Sequence, residues 1–71
     1  MSNKKLSTIA KNIRLLRKEK GFSQDRLSKK AEVAYNTLVE IESGENPNPT
    51  VNTLERVANT LGVSIEKLFK E

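Results

Sequence analysis

Cysteine, histidine and tryptophan are all absent from this 71-residue chain. Without cysteine there is no disulfide, and without either cysteine or histidine nearly every zinc or haem arrangement is excluded. Carboxylates alone can bind a hard cation, but no acidic cluster has the spacing of such a loop. Aromatic residues are scarce, limited to Phe22, Tyr35 and Phe69. No apolar stretch approaches membrane-spanning length, and Met1-Ser2-Asn3-Lys4-Lys5-Leu6 lacks the apolar run of a signal peptide. The expectation is a soluble cytoplasmic protein with no metal, no cofactor and no evident small-molecule ligand. A chain this short cannot divide its apolar residues between two cores, which predicts one domain over residues 1–71 with an ordered core from about 7 to 69. Acid–base or nucleophilic catalysis needs paired groups in a pocket, so an enzyme is not expected.

The charge is present in quantity and unevenly placed. Residues 1–30 hold ten Lys and Arg against Glu19 and Asp25, a balance of +8. Residues 31–71 hold three against seven acids, a balance of −4. A basic half of this kind attracts a polyanion such as nucleic acid. Taken alone, the asymmetry fits a solvated surface equally well.

Start and stop signals divide the chain into five short helices. Ile9, Ile13 and Leu16 share one helical face, with Ser7 placed as N-cap and Gly21 as the stop. Ser23 caps a second helix running to about Ala31, where Phe22 and Leu27 have the spacing of a hydrophobic staple. Asp25 sits in its first turn, where the helix dipole favours an acid. Glu32-Val33-Ala34 connects to a third helix with Leu38 and Ile41 inward and Gly44 as its stop. Pro47 and Pro49 prevent the helix from continuing through the next loop. Thr50 caps a fourth helix with the stripe Leu54, Val57, Ala58 and Leu61, ended by Gly62. Ser64 caps a fifth, in which Val63 and Leu68 repeat the staple spacing. The pattern is all-α, with no strand alternation and no internal repeat.

Residues 24–43 satisfy the demands of two helices joined by a tight turn. Ser28 supplies the small residue needed where the second helix crosses the first. Leu27, Ala31, Val33, Leu38 and Ile41 fill the wedge between them. An ordinary antiparallel helix pair also explains these apolar positions. It does not explain why the outward residues opening the third helix are Tyr35, Asn36 and Thr37, groups suited to base edges in the major groove.

Over residues 9–69 the sequence resembles the phage-repressor and Cro-type helix-turn-helix family of bacterial and phage regulators. The resemblance is carried by Ile9, Ile13-Arg14, Leu16-Arg17, Gly21-Phe22-Ser23-Gln24, Leu27, Ala31, Val33, Leu38, Ile41-Glu42 and Gly44. It continues through Pro49-Thr50, Leu54, Ala58, Leu61-Gly62-Val63-Ser64 and Leu68-Phe69. It implies a compact five-helix lambda-repressor-like DNA-binding domain with the helix-turn-helix at helices two and three. The third helix, about 34–43, becomes the recognition helix of a transcriptional regulator, most often a repressor, on a double-stranded DNA operator.

By the same resemblance Tyr35, Asn36 and Thr37 fall at base-reading positions, and Thr37 also at one that meets phosphate or a thymine methyl. An amide such as Asn36 can bond adenine bidentately. Glu40 either accepts from a cytosine amino group or simply faces solvent. Gln24 matches a phosphate-touching glutamine, with Ser23 beside it at the free N–H groups of the second helix. Arg17 and Glu42 match an ion pair joining the first helix to the end of the recognition helix, with a phosphate contact open to Arg17. Asn46 and Asn48 either bond phosphates or only form the turn beside proline.

Three positions depart from the family pattern. Glu32 stands where glycine is usual, so either it is held left-handed at a cost or the turn differs. Ala34 stands where Ser or Thr commonly caps the recognition helix. Glu45 replaces a common Lys or Arg, which weakens the phosphate contact there. A monomer of this size reads few bases, so the expectation is a homodimer on a two-fold-related operator, with the C-terminal region, the fifth helix either alone or with the end of the fourth, as its contact. The rival reading is a protein-interaction module, such as an antitoxin or regulatory partner, using Leu15, Val39, Val51 or Phe69.

Overall fold

The computed structural model describes residues 4–45 and 49–71, with side chains described from residue 8 onward. Among the described residues five helices follow in order: α1 (Lys4–Glu19), α2 (Gln24–Ala31), α3 (Tyr35–Ser43), α4 (Val51–Leu61) and α5 (Ile65–Phe69). No strand occurs among the described residues. This is the all-α, five-helix lambda-repressor-like arrangement.

Side-chain caps fix the starts of α2 and α4. The Ser23 hydroxyl accepts from the Arg26 N–H at 3.0 Å and the Thr50 hydroxyl accepts from the Thr53 N–H at 3.1 Å. Ser64 holds the N-cap position of α5 but makes no side-chain cap bond. α1 departs from expectation at its start. It begins at Lys4, so Ser7 lies inside the helix instead of capping it. Lys4, Lys5 and Leu6 are good helix formers, which favours carrying the helix past that serine.

The first four helices end in one motif. A left-handed residue donates to the carbonyl three positions back, and the next residue donates to the carbonyl five back. After α3, for example, Gly44 N–H bonds Ile41 at 3.1 Å and Glu45 N–H bonds Glu40 at 2.9 Å. Glycine holds the left-handed position after α1, α3 and α4, and Glu32 holds it after α2 at φ 58° and ψ 44°. The turn thus keeps the geometry that glycine would supply. Glu32 is held there by its own N–H on Lys29, by Val33 N–H on Ser28, and by the Arg56 guanidinium, which donates to its carbonyl at 3.1 Å.

The core draws on every helix: Ile9 and Ile13, Leu27 and Ala31, Leu38 and Ile41, the stripe Leu54, Val57, Ala58 and Leu61, and Leu68. Each large aliphatic side chain so buried contributes about 1.5–3 kcal/mol before the entropy of ordering is set against it. Leu16, Phe22, Val33, Val63 and Ile65 close the edges of this cluster. α1 packs on α3, α4 and α5, while α2 packs on α3 and α4. These contacts fix the angle at which α3 leaves the α2 turn and the face it turns outward.

Candidate nucleic-acid interface

α3 is divided sharply between its two faces. Leu38 and Ile41 are buried, whereas Tyr35 is 48% exposed and Asn36 and Glu40 are exposed. Thr37 is half-buried at the boundary. Asn36 and Glu40 stand one turn apart, so a single outward strip carries an amide and a carboxylate, with the phenol of Tyr35 at its head. All four sequence-expected reading residues therefore lie on one helix, with three of them fully on its open side.

The start of α3 is uncapped. Ala34 occupies the N-cap position and forms no side-chain bond. The backbone N–H groups of Tyr35, Asn36 and Thr37 precede the first intrahelical bond, which Leu38 N–H makes to the Ala34 carbonyl at 3.0 Å. With no acid in the first turn, the positive end of the helix dipole is not neutralised locally.

α2 supports this helix from behind. Ser28 is buried at the crossing and turns its hydroxyl onto the Asp25 carbonyl at 2.7 Å, so the polar group is satisfied without adding bulk. Outward, α2 carries Arg26, Lys29 and Lys30. Arg26 and Lys30 lie 6.0 and 5.8 Å from the centroid of the Phe22 ring. Lys29 meets Asp25 at 3.2 Å on an exposed face, a pair of small energetic consequence.

The far end of α3 is gathered at Glu42. This carboxylate is 2% exposed and accepts from Arg17 Nε at 2.7 Å and from the Arg17 terminal nitrogen at 3.1 Å. A third bond comes from Gln24 Nε2 at 3.0 Å. The remaining Arg17 terminal nitrogen donates to the Phe22 carbonyl at 2.9 Å. Arg14, one turn earlier on α1, donates to the Glu42 backbone carbonyl. α1, α2 and α3 are thus joined through one buried acid, with no unpartnered buried side-chain N or O atom among the described residues.

Gln24 is brought to this cluster with one N–H already committed to Glu42, while Ser23 spends its oxygen on capping α2 and remains exposed. Asn46 lies outside the described residues, as does Asn48. Glu45 follows α3 on the surface. Residue-by-residue reading of the sequence gave Arg14 no role of its own. Its spacing of three from Arg17, on the same stripe of α1, was the available signal. Asn12 is a second residue to which no local sequence signal assigns a role. Its amide donates to the Leu68 and Lys70 carbonyls, both at 2.8 Å, and so ties the end of α5 to α1.

A short helix crossing a supporting helix through a left-handed turn, with one polar face left open, defines a helix-turn-helix domain. The helix-turn-helix family matches residues 13–68, and the chain belongs to it. It is 41% identical over 63 residues to the transcriptional regulator SinR of Bacillus licheniformis, covering 89% of this chain and 57% of that protein. To the immunity repressor protein of Bacillus phage phi105 it is 34% identical over 64 residues, covering 90% of this chain and 44% of the repressor. Among solved structures it resembles SinR, the master regulator for biofilm formation, in complex with DNA. There the TM-score is 0.83 at 40% identity, covering 87% of this chain and 98% of that one. The chain spans about half the length of the curated relatives it matches.

Proposed function

We propose that this chain is a sequence-specific double-stranded DNA-binding domain of a transcriptional repressor, with α3 as the recognition helix in the major groove. The observation that carries this reading is the uncapped start of α3 beside the exposed side chains of Tyr35 and Asn36. A helix packed only for stability gains from a cap and from an acid in its first turn. This one has neither, and it presents hydrogen-bonding groups of the size that base edges require. Tyr35, Asn36, Thr37 and Glu40 are assigned to base reading, with Gln24 and Ser23 at the phosphate backbone. The similarity to a regulator whose structure holds DNA supports the same reading. The role is one of binding and not of catalysis, and operator binding makes it a cytoplasmic one.

A homodimer on DNA belongs to this reading, because one α3 spans too few base pairs for a selective site. α5 is the assigned contact. It is short, is clamped to α1 by Asn12, and carries Phe69 37% exposed at its end. A second reading, in which the surface takes a protein partner, draws on exposed Leu15 and Val51 and on the similarity to a SinR–SinI protein complex.

Selection of bound duplexes from random DNA tests the primary reading. The expected result is a two-fold-related motif with half-sites about one helical turn apart. Its affinity should fall steeply as salt rises. Failure to retain any duplex at low salt would reject it in favour of a protein partner.

A further inference from the structure

We propose that Arg14, and not Arg17, is the guanidinium that grips a DNA phosphate beside the recognition helix, Arg17 being the buttress that holds α3 in place. This deepens the DNA-binding reading and rests on it.

Arg17 is largely committed. Its side chain is 12% exposed, its charge is matched by Glu42, and each of its three nitrogens donates within the protein, which leaves two of the five N–H groups unused on a mostly buried guanidinium. Swinging it towards a phosphate would strip the Glu42 carboxylate of its counter-charge while that carboxylate stays buried. Breaking one side of a buried ion pair is among the costlier local changes a protein can make. A phosphate contact does not recover that loss, because it exchanges one anion for another.

Arg14 has the opposite properties. It is exposed, and no Asp or Glu lies within ion-pair distance of it among the described residues. Among the described residues its one hydrogen bond goes to the Glu42 carbonyl, a neutral acceptor, so the guanidinium is oriented without being neutralised. That carbonyl lies in the last turn of α3, where the dipole is negative and no basic residue of α3 is present. A guanidinium held at one N–H still presents other donors in a planar fork that matches phosphate oxygens. The anchor is also well placed. Gln24, assigned to phosphate, reaches the side chain of the same Glu42, so Arg14 and Gln24 flank one end of the recognition helix. Counting Arg14, Arg17 and Glu42 together, one positive charge remains, and it resides on Arg14.

The test is the salt dependence of binding of the full chain to a mixed-sequence DNA duplex of about two helical turns, measured from roughly 50 to 200 mM salt. Arg14→Met should make the slope of log K against log salt shallower by about one per bound protomer and weaken all sequences alike. Arg14→Gln keeps a donor for the Glu42 carbonyl and should reproduce that change with an unaltered urea midpoint. Arg14→Lys should retain most of the slope. Lys20→Met removes the same charge beside Gly62, at the α4–α5 turn, and should leave the slope unchanged. An unchanged slope in the Arg14→Gln variant, with steep wild-type dependence, overturns the assignment to Arg14 while leaving DNA binding intact. Equal losses for the Arg14 and Lys20 variants overturn it too, since the effect would then be one of general field. A wild-type chain that binds no duplex at low salt overturns the DNA-binding reading and this assignment with it.

Discussion

α2 and α3 are neighbours of nearly equal length, eight and nine residues, yet they are stabilised by different means. α2 carries its own local support: a serine cap, Asp25 in the first turn, Lys29 and Lys30 in the last, and an Asp25–Lys29 pair along one side. α3 has no side-chain cap, no acid at its start and no base at its end. Isolated helices of this length do not persist in water, so α3 depends on tertiary contacts. It is held by Leu38 and Ile41 in the core and by Glu42 pinned to Arg17, Gln24 and Arg14. The difference shows where this fold places its freedom. α2 adds local support from its own sequence to its core contacts, whereas α3 relies on the core and on Glu42 and keeps its first turn unoccupied by the protein.

The contrast can be broken most forcefully at Glu42. Glu42→Ala leaves the Arg17 guanidinium largely buried without its carboxylate and should cost about 3–5 kcal/mol. A small domain has little more than that in total, so urea titration should show a population mostly unfolded at room temperature. A loss near zero would mean that α3 is not held from its far end.

On the open face the expected loss is in recognition and not in folding. Asn36→Ala should remove about 1–3 kcal/mol of discrimination at one base pair, with non-specific affinity and thermal midpoint nearly unchanged. Competition binding against single-substituted operators measures it. Uniform weakening on every duplex would move Asn36 from base reading to backbone contact.

The two N-caps offer a reciprocal pair. Ser23→Ala should destabilise by about 1 kcal/mol, since the Arg26 N–H loses its acceptor. Ala34→Ser should stabilise by somewhat less, about 0.5–1 kcal/mol, by supplying the cap that α3 lacks. If that more stable variant also binds operator more tightly, the open first turn is incidental to recognition. The smallest effect is expected in the turn itself. Glu32→Gly relieves a left-handed non-glycine residue but gives the unfolded chain more freedom, for a net gain of about 0.5 kcal/mol in the urea midpoint analysis.

How far these features could be read in advance follows the range of the interactions. Ser23, Thr50, Gly44 and Gly62 act on residues three to five positions away, and they mark the helix ends where the spacing predicts them. Ser7 shows the limit of such signals, because a cap residue preceded by helix formers becomes part of the helix. The exposed strip at Tyr35, Asn36 and Glu40 was legible because Leu38 and Ile41 fix the inward face of α3. The use of Arg14 was not. Its acceptor lies 28 positions away on another helix, as a backbone carbonyl that side-chain chemistry does not reveal. Asn12 was hidden for the same reason, with acceptors 56 and 58 positions distant.

The sequence by itself determined the five helices, their stops, the core stripe and the polar face that α3 leaves exposed, because each follows from local periodicity or from a cap within one turn. Only the tertiary structure decided that Glu32 adopts the left-handed turn, that Glu42 is the point where three helices meet, and that Arg17 is consumed while Arg14 stays available. Those outcomes depend on which groups share a limited number of acceptors at close range. Packing sets that sharing, because it alone brings residues distant in the chain to the same carboxylate.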